Sequence, residues 1–401
     1  METNLSGTTP AYVDLTTEAN SSAPLGVLGT GGLMIAHCAG MIDLVALPVW
    51  VGALIGSYGL DPQQAGLLAT LFLAGAVLSS LFFSPRLNRL PARAMATIGF
   101  GIATIAFLGI VSIGGYFAMA ALHAIAGLAV GCALSFTHGT IGRSRNPHRL
   151  FAIAGLALGI FAIAFLGATP GLIAAHGGPM LFKVFAGVMG VAALACAFAF
   201  PSLRPQRGAV KVDEPRFERA VWFGMLGVSC MGLTQAMLFS FVQRIGLDRG
   251  FAFDAVTATL IACGFVNLFP APIAGVLETR LAARRVLQIG PVVQAAIALI
   301  ITQSAGFAPY AAATSVFAAV MIFSHTFAFG LLARIDRTGR AVAATPAMLM
   351  TGAAIGPVLG GTLVKQSGYG SLGIAAVVIA AVAVFCFSRV EGRSSSSGAQ
   401  I

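Results

Sequence analysis

What most constrains this chain is a succession of apolar stretches, each long enough to cross a bilayer and nearly free of charge, joined by short polar loops. In hydrocarbon every backbone N–H must find its acceptor within the protein, which leaves helices or a closed barrel as spanning structures. The alternating ten-residue pattern of barrel strands is absent, so the stretches read as helices. They fall at 31–56, 63–83, 94–113, 116–141, 150–173 and 179–200, then at 219–244, 251–277, 286–305, 308–333, 341–365 and 370–388. Only 9% of the 401 residues are charged, against roughly a quarter in a soluble domain, too few to build a water-facing surface. The fold class is therefore an all-α polytopic membrane protein with twelve transmembrane helices.

A polar segment from Pro201 to Glu218, carrying Arg204, Arg207, Lys211, Asp213, Glu214 and Arg216, divides the helices six and six. The organisation predicted is a tail at 1–25, a six-helix bundle at 26–200, a central loop at 201–218, a second bundle at 219–388 and a tail at 389–401. The first tail lacks Lys and Arg, so it reads as a tail and not a signal peptide. Of the 23 Lys and Arg residues, all but Lys183, Arg244, Arg249 and Lys365 lie on the side that holds both chain ends. Cytoplasmic loops carry such an excess. Both termini are thus expected in the cytoplasm, for a multi-pass protein of a bacterial cytoplasmic (inner) membrane. A one-helix counting error would destroy that asymmetry.

The net charge of +10 does not point to nucleic acid, because the basic residues sit in loops and form no basic helix or aromatic-basic face. Cys38, Cys132, Cys196, Cys230, Cys263 and Cys386 are scattered singly and read as small buried apolar residues. Neither a metal nor a cofactor is expected. No phosphate-binding G-x-x-x-x-G-K-[ST] loop, H-E-x-x-H string or Ser/His/Asp string occurs, so the chain reads as neither ATP-driven nor an enzyme. Glycine pairs such as Gly52/Gly56, Gly127/Gly131, Gly155/Gly159 and Gly352/Gly356 have the spacing that lets helices approach closely.

Two sets of six spans around a basic loop resemble the major facilitator superfamily. Three strings in the second half carry the resemblance further. Gly275-Val-Leu-Glu278-Thr-Arg280-Leu-Ala-Ala-Arg284-Arg285 is similar to the family's short cytoplasmic loop, in which an acid and clustered arginines bridge helix ends. The resemblance implies a conformational latch, with Glu278, Arg280 and Arg284 as its members. The first-half counterpart, Phe83-Ser-Pro-Arg86-Leu-Asn-Arg89-Leu-Pro-Ala-Arg93, keeps the bases but lacks the Gly and the acid. Asp336-Arg-Thr-Gly339-Arg340 and Gly352-Ala-Ala-Ile-Gly356-Pro357-Val-Leu-Gly360-Gly361-Thr-Leu363 look like the efflux-permease branch. The second resembles an antiporter motif, here in span 11 and not in span 5, where Gly352, Gly356, Pro357, Gly360 and Gly361 would pack and bend the helix. The resemblance implies two pseudo-symmetric six-helix bundles working by alternating access, with the solute bound between them near mid-bilayer.

An ionisable side chain at that depth costs about 2.5–3.5 kcal/mol to insert, so it is expected to face a cavity. Asp43 is the foremost case, about 18 Å into span 1 by helix rise, with Pro48 placed to bend that helix. The string Met41-Ile-Asp43-Leu-Val-Ala46-Leu47-Pro48 resembles the acid and Ala-Leu-Pro of family exporters. In span 4, His123 stands where the family usually has an Arg four residues before a Gly. Asp43, His123 and His37 are the candidates for proton coupling or substrate contact, since imidazole changes charge near neutral pH; a satisfied structural group is the alternative for each. On an ideal helix His37 and Asp43 would not share a narrow face, and His138 and His325 read as interfacial. Candidates for a substrate cavity are Gln235, Asn267 and His325 for hydrogen bonds and Trp50 and Phe239 for stacking.

The expectation is a monomeric secondary transporter in the lipid bilayer, exporting a small amphipathic or aromatic compound by proton-coupled antiport. Proton-symport uptake is the alternative within that class. A membrane receptor or scaffold that keeps the fold without transporting is the alternative outside it.

Overall fold

The computed structural model describes residues 26–201, 218–336 and 340–390, and only the backbone of His148 and of residues 340–346. Most of the two expected tails and of the central loop, and the middle of the Asp336–Arg340 string, lie outside the described residues.

Twelve helices are long and apolar enough to cross a membrane. Spans 1 to 6 are Val27–Gly56, Pro62–Arg86, Ala92–Ser112, Tyr116–Gly142, Arg149–His176 and Pro179–Ala199. Spans 7 to 12 are Arg219–Asp248, Phe253–Leu277, Ala283–Gln303, Phe307–Ile335, Ala347–Ser367 and Gly370–Ser388. The fold is all-helical among the described residues, in two sets of six. Local chemistry starts and stops these helices. Asp61 caps span 2 by accepting from the Gln64 N–H at 2.9 Å while the Gln64 side chain accepts from the Asp61 N–H, and Pro62 supplies the favoured first position. Gly177 and Gly368, at φ +81° and +72°, turn the chain after spans 5 and 11 in a conformation that costs a residue with a Cβ.

Three spans are discontinuous. Span 1 breaks at Met41, between helices Val27–Gly40 and Ile42–Gly56. Spans 7 and 8 break after Phe239 and Val266. Pro48, expected to bend span 1, lies inside the second half-helix instead. At the break itself the Leu44 N–H reaches back only three residues, to the Met41 carbonyl. The ideal-helix angle between His37 and Asp43 therefore does not apply.

Glycine sets the spacing within each half. A Cβ at Gly127 would overlap the Phe72 carbonyl oxygen and one at Gly131 the Ala76 carbonyl oxygen, so spans 2 and 4 touch backbone to backbone. Gly352 does the same against Ser229 of span 7, and Gly356 and Gly360 pack beside Ala236, Met237 and Phe241. Gly155, by contrast, faces open space.

The halves meet along spans 1 and 7, 2 and 11, and 5 and 8. One end of the bundle gathers Arg86, Arg143, Arg284 and Arg334 at helix termini; the other is arginine-poor. At the arginine-poor end Gly361 lies on the Pro62 carbonyl and Gly66 on the Pro357 carbonyl, with no room for a Cβ at either. Pro357 lacks an N–H, and the next one, of Val358, donates across the seam to Thr70 Oγ1 at 3.1 Å. Lys365 Nζ closes the same seam on Asp61 Oδ2 at 2.9 Å. Gly52 and Gly56 of span 1 lie under Gln243 and Arg244 of span 7. The seam of spans 5 and 8 is made by side chains, as where Ile163 meets Gly264 and Ile261 meets Gly167.

Candidate functional site

Asp43 is buried in the first turn of the second half-helix of span 1, 3% exposed. The break at Met41 interrupts the helical hydrogen-bond ladder, and the Asp43 carboxyl stands in the turn that follows it. It has no cationic partner among the described residues. The other acids described, Asp61, Glu218, Asp248, Asp254, Glu278 and Asp336, stand at helix ends or in loops.

His123 is engaged at both ring nitrogens. Its Nδ1 bonds the Met119 carbonyl at 2.7 Å, and its Nε2 accepts from the Trp50 indole N–H at 3.3 Å. Only a neutral ring protonated on Nδ1 satisfies both bonds, since a proton on Nε2 would face the indole N–H donor to donor. Trp50 stacks on the imidazole at 5.5 Å, and Phe72, Phe107 and Phe185 complete the box around the indole. Trp50 and His123 are both fully buried. Trp50 is enclosed by these rings, and His123 is bonded at both ring nitrogens, the structural alternative raised for it from the sequence. The reason is bulk, because an indole buried among phenyl rings holds the first bundle together. Phe239 is buried as well.

His37 and His138, whose separation the sequence leaves open, meet. His37 Nδ1 lies 3.0 Å from His138 Nε2, so one ring donates and the other accepts, and the edge of Phe151 covers His138. The pair joins the first half-helix of span 1 to span 4. No cluster of three or more ligating side chains occurs among the described residues.

In the second half, Gln294 Nε2 donates to Gln235 Oε1 and to the Met231 carbonyl, both at 3.3 Å, tying span 9 to span 7. Asn267, at the break in span 8, donates to Cys263 Sγ, and its buried Oδ1 has no partner among the described residues. Half-buried His325 bonds the Met321 carbonyl through Nδ1 at 3.0 Å.

The arginine-rich loops staple helix ends within each half. Glu278 takes Arg334 of span 10 at 2.9 Å, and Arg284 donates to the Ser388 carbonyl of span 12 at 3.0 Å. Arg280, expected to share the latch with Glu278, has no protein partner among the described residues. The first half repeats the device with an amide in place of the acid, Arg143 donating to Asn88 at 2.8 Å. Arg143 and Arg334 stand at the same offset from their helix starts, Tyr116 and Phe307, a mark of the internal repeat. The missing acid of the first loop therefore does not abolish the staple.

Two groups of six antiparallel spans, meeting along equivalent helix pairs and repeating a loop-to-helix staple, describe a known architecture. The profile of the Major Facilitator Superfamily matches residues 33–335. The chain belongs to that superfamily. It is a membrane transporter and not an enzyme, and its cargo is a small molecule. No curated protein matches the sequence significantly. Among solved structures it is similar to a bacterial homologue of the human lysosomal transporter Spinster, in an inward-facing and unoccupied conformation, with a TM-score of 0.70 and 12% identity over 90% of this chain and 96% of that one. It is equally similar to a variant of the nucleoside transporter NupG, with a TM-score of 0.70 and 14% identity over 90% of this chain and 98% of that one. Identities this low speak to the shared fold alone. Sequence reasoning missed Asp61 with Lys365, Asn88 with Arg143, Arg334 and Gln294. The Asp61-Pro62-Gln63-Gln64 capping signature was legible, but the partners across helices carried no local signal.

Proposed function

We propose that the chain couples proton movement to the export of a small amphipathic or aromatic organic compound, by antiport between its two halves. Asp43 is the observation that carries the reading. It is the acid set deep within a span, away from any cation, at a helix break where a small change in backbone could alter its partners. A buried carboxylate without a counter-charge is costly, so proton release there requires water or a polar group to arrive. Proton occupancy is thereby tied to which end of the bundle is open.

The closed seam at the arginine-poor end supports a cycle in which the state described here loads solute from the arginine-rich end, read as cytoplasmic by the charge rule. Asn267 Oδ1, His325 and Gln235 are the polar groups of the second half offered to that solute. Three polar groups that carry no fixed charge suit an amphipathic or aromatic molecule better than an ion. The antiporter-like string supports export, since its Gly361 and Pro357 meet span 2 of the other half backbone to backbone.

Everted vesicles holding the chain are expected to accumulate a fluorescent amphipathic amine when their interior is acid, and Asn at position 43 (Asp43→Asn) is expected to abolish this with insertion intact. Wild-type flux and pH dependence in that variant would remove Asp43 from the mechanism. Accumulation only in right-side-out vesicles would replace export by symport, and ligand binding without flux would leave a receptor.

A further inference from the structure

Spans 8, 9 and 10 enclose a groove of about 650 Å³ that belongs to the second half alone. Its walls are apolar, built from Phe269, Ile273, Ile289, Val293, Val316 and Val320. Phe269 and Ile289 are 60% and 58% exposed, so the groove faces lipid and no soluble partner reaches it. Arg280 and Arg285 line it at the arginine-rich end. Neither guanidinium bonds a protein group among the described residues, whereas Arg284 between them is engaged with Ser388 and Glu278 with Arg334. Two free cations thus stand at the end of an apolar trough, where helix termini meet the headgroup layer.

A second groove shows that the charge is particular. Spans 1 and 6 enclose about 740 Å³ lined by Val27, Leu28, Ile35, Val191, Leu194 and Phe198 with glycines and alanines, and no charged side chain. Lipid tails gain little by leaving one apolar surroundings for another, so any preference between lipids comes from the headgroup. Arginine forks match phosphate oxygens in pairs. A zwitterionic headgroup brings its own cation to the two arginines, and an anionic one does not.

We propose that the groove binds an anionic phospholipid, its phosphate held by Arg280 and Arg285 and one acyl chain lying along Ile273, Ile289 and Val293. At the strength of a basic residue near a charged leaflet, two arginines give a preference of about 30-fold over a zwitterionic lipid.

The test is native mass spectrometry of the full chain released from vesicles of mixed phosphatidylglycerol and phosphatidylcholine. The wild type is expected to retain phosphatidylglycerol preferentially. Arg280→Gln with Arg285→Gln should lose about 30-fold of that preference, and Arg280→Lys with Arg285→Lys should keep most of it. Val293→Trp, which fills the groove and leaves both arginines, should lower retention. Equal retention of the two lipids, or an unchanged preference in the Gln pair, overturns the proposal. Displacement of the lipid by equimolar inorganic phosphate makes this a free-anion site, and full retention in Val293→Trp takes the acyl chain out of the groove; either result also overturns it. Should the Gln pair fail to insert, the Lys pair and Val293→Trp decide.

Discussion

Gly361→Ala puts a single methyl group at a place between the halves where backbone meets backbone. That Cβ would overlap the carbonyl oxygen of Pro62. A backbone carbonyl inside the first turn of span 2 does not swing aside as a side-chain tip does, so the helices must separate or strain. Overpacking of this kind costs about 1–3 kcal/mol. The cost falls only on the state in which spans 2 and 11 touch, and in a two-state protein it shifts the population about 5- to 150-fold toward the state in which they part. Ala also favours the helix over Gly by about 1 kcal/mol, but it does so in both states and cancels. Spin labels at Ser57→Cys and Ser367→Cys, exposed positions on opposite halves of the arginine-poor end, report the separation in a Cys38→Ser background. The expected result is growth of a long-distance population in Gly361→Ala. Gly171→Ala, where nothing lies within 4 Å of the added Cβ, should leave the distribution as in the parent. An unchanged distribution in Gly361→Ala, or an equal shift in Gly171→Ala, would refute the steric argument.

The Asp61–Lys365 pair closes the same seam but is 33% and 48% exposed, so its loss in Lys365→Met is worth about 0.2–1 kcal/mol and should open the labels less than Gly361→Ala does. Burial alone would raise the Asp61 carboxyl, yet the Gln64 N–H, Lys365 and the Gln63 N–H together hold it below the ordinary value. The closed seam is therefore favoured by this group at neutral pH, loses that support only as pH falls below about 4, and a loss centred near neutrality in a pH series of label distances would contradict the assignment. Trp50→Ala should cost about 3–5 kcal/mol in thermal unfolding, against about 1 kcal/mol for the donor bond missing in Trp50→Phe; equal melting shifts would show that the box around His123 is not packed as described. Glu278→Gln removes an exposed staple inside one half and should change transport rates by less than about fivefold; complete loss of transport would mean that Glu278 also acts across the halves.

The number of spans and their division into two sets were legible in the sequence because hydropathy and loop polarity are local properties. A stretch such as Gly370–Ser388 declares itself without reference to any other. The string Gly352 to Gly361 was legible as a packing face for the same reason, although not which helices it would touch. The breaks at Met41, Phe239 and Val266 were not, since apolar sequence runs through them and the backbone turns only where neighbouring helices accept it.

Pairings lay further out of reach. His123 looked like a titratable group lining a path, and only the arrival of Trp50 from another span made it a bonded partner in a closed box. His37 and His138 are far apart in the chain and meet because spans 1 and 4 pack side by side. Glu278 drew attention to Arg280 two residues away, yet a loop at a helix end points its side chains toward the next helix, and Arg334 was there. What the sequence by itself determined was how much of this chain must lie in lipid and into how many spans it divides. The tertiary structure alone decided which polar groups are satisfied and which stay free, because that depends on contacts between helices that share no local signal.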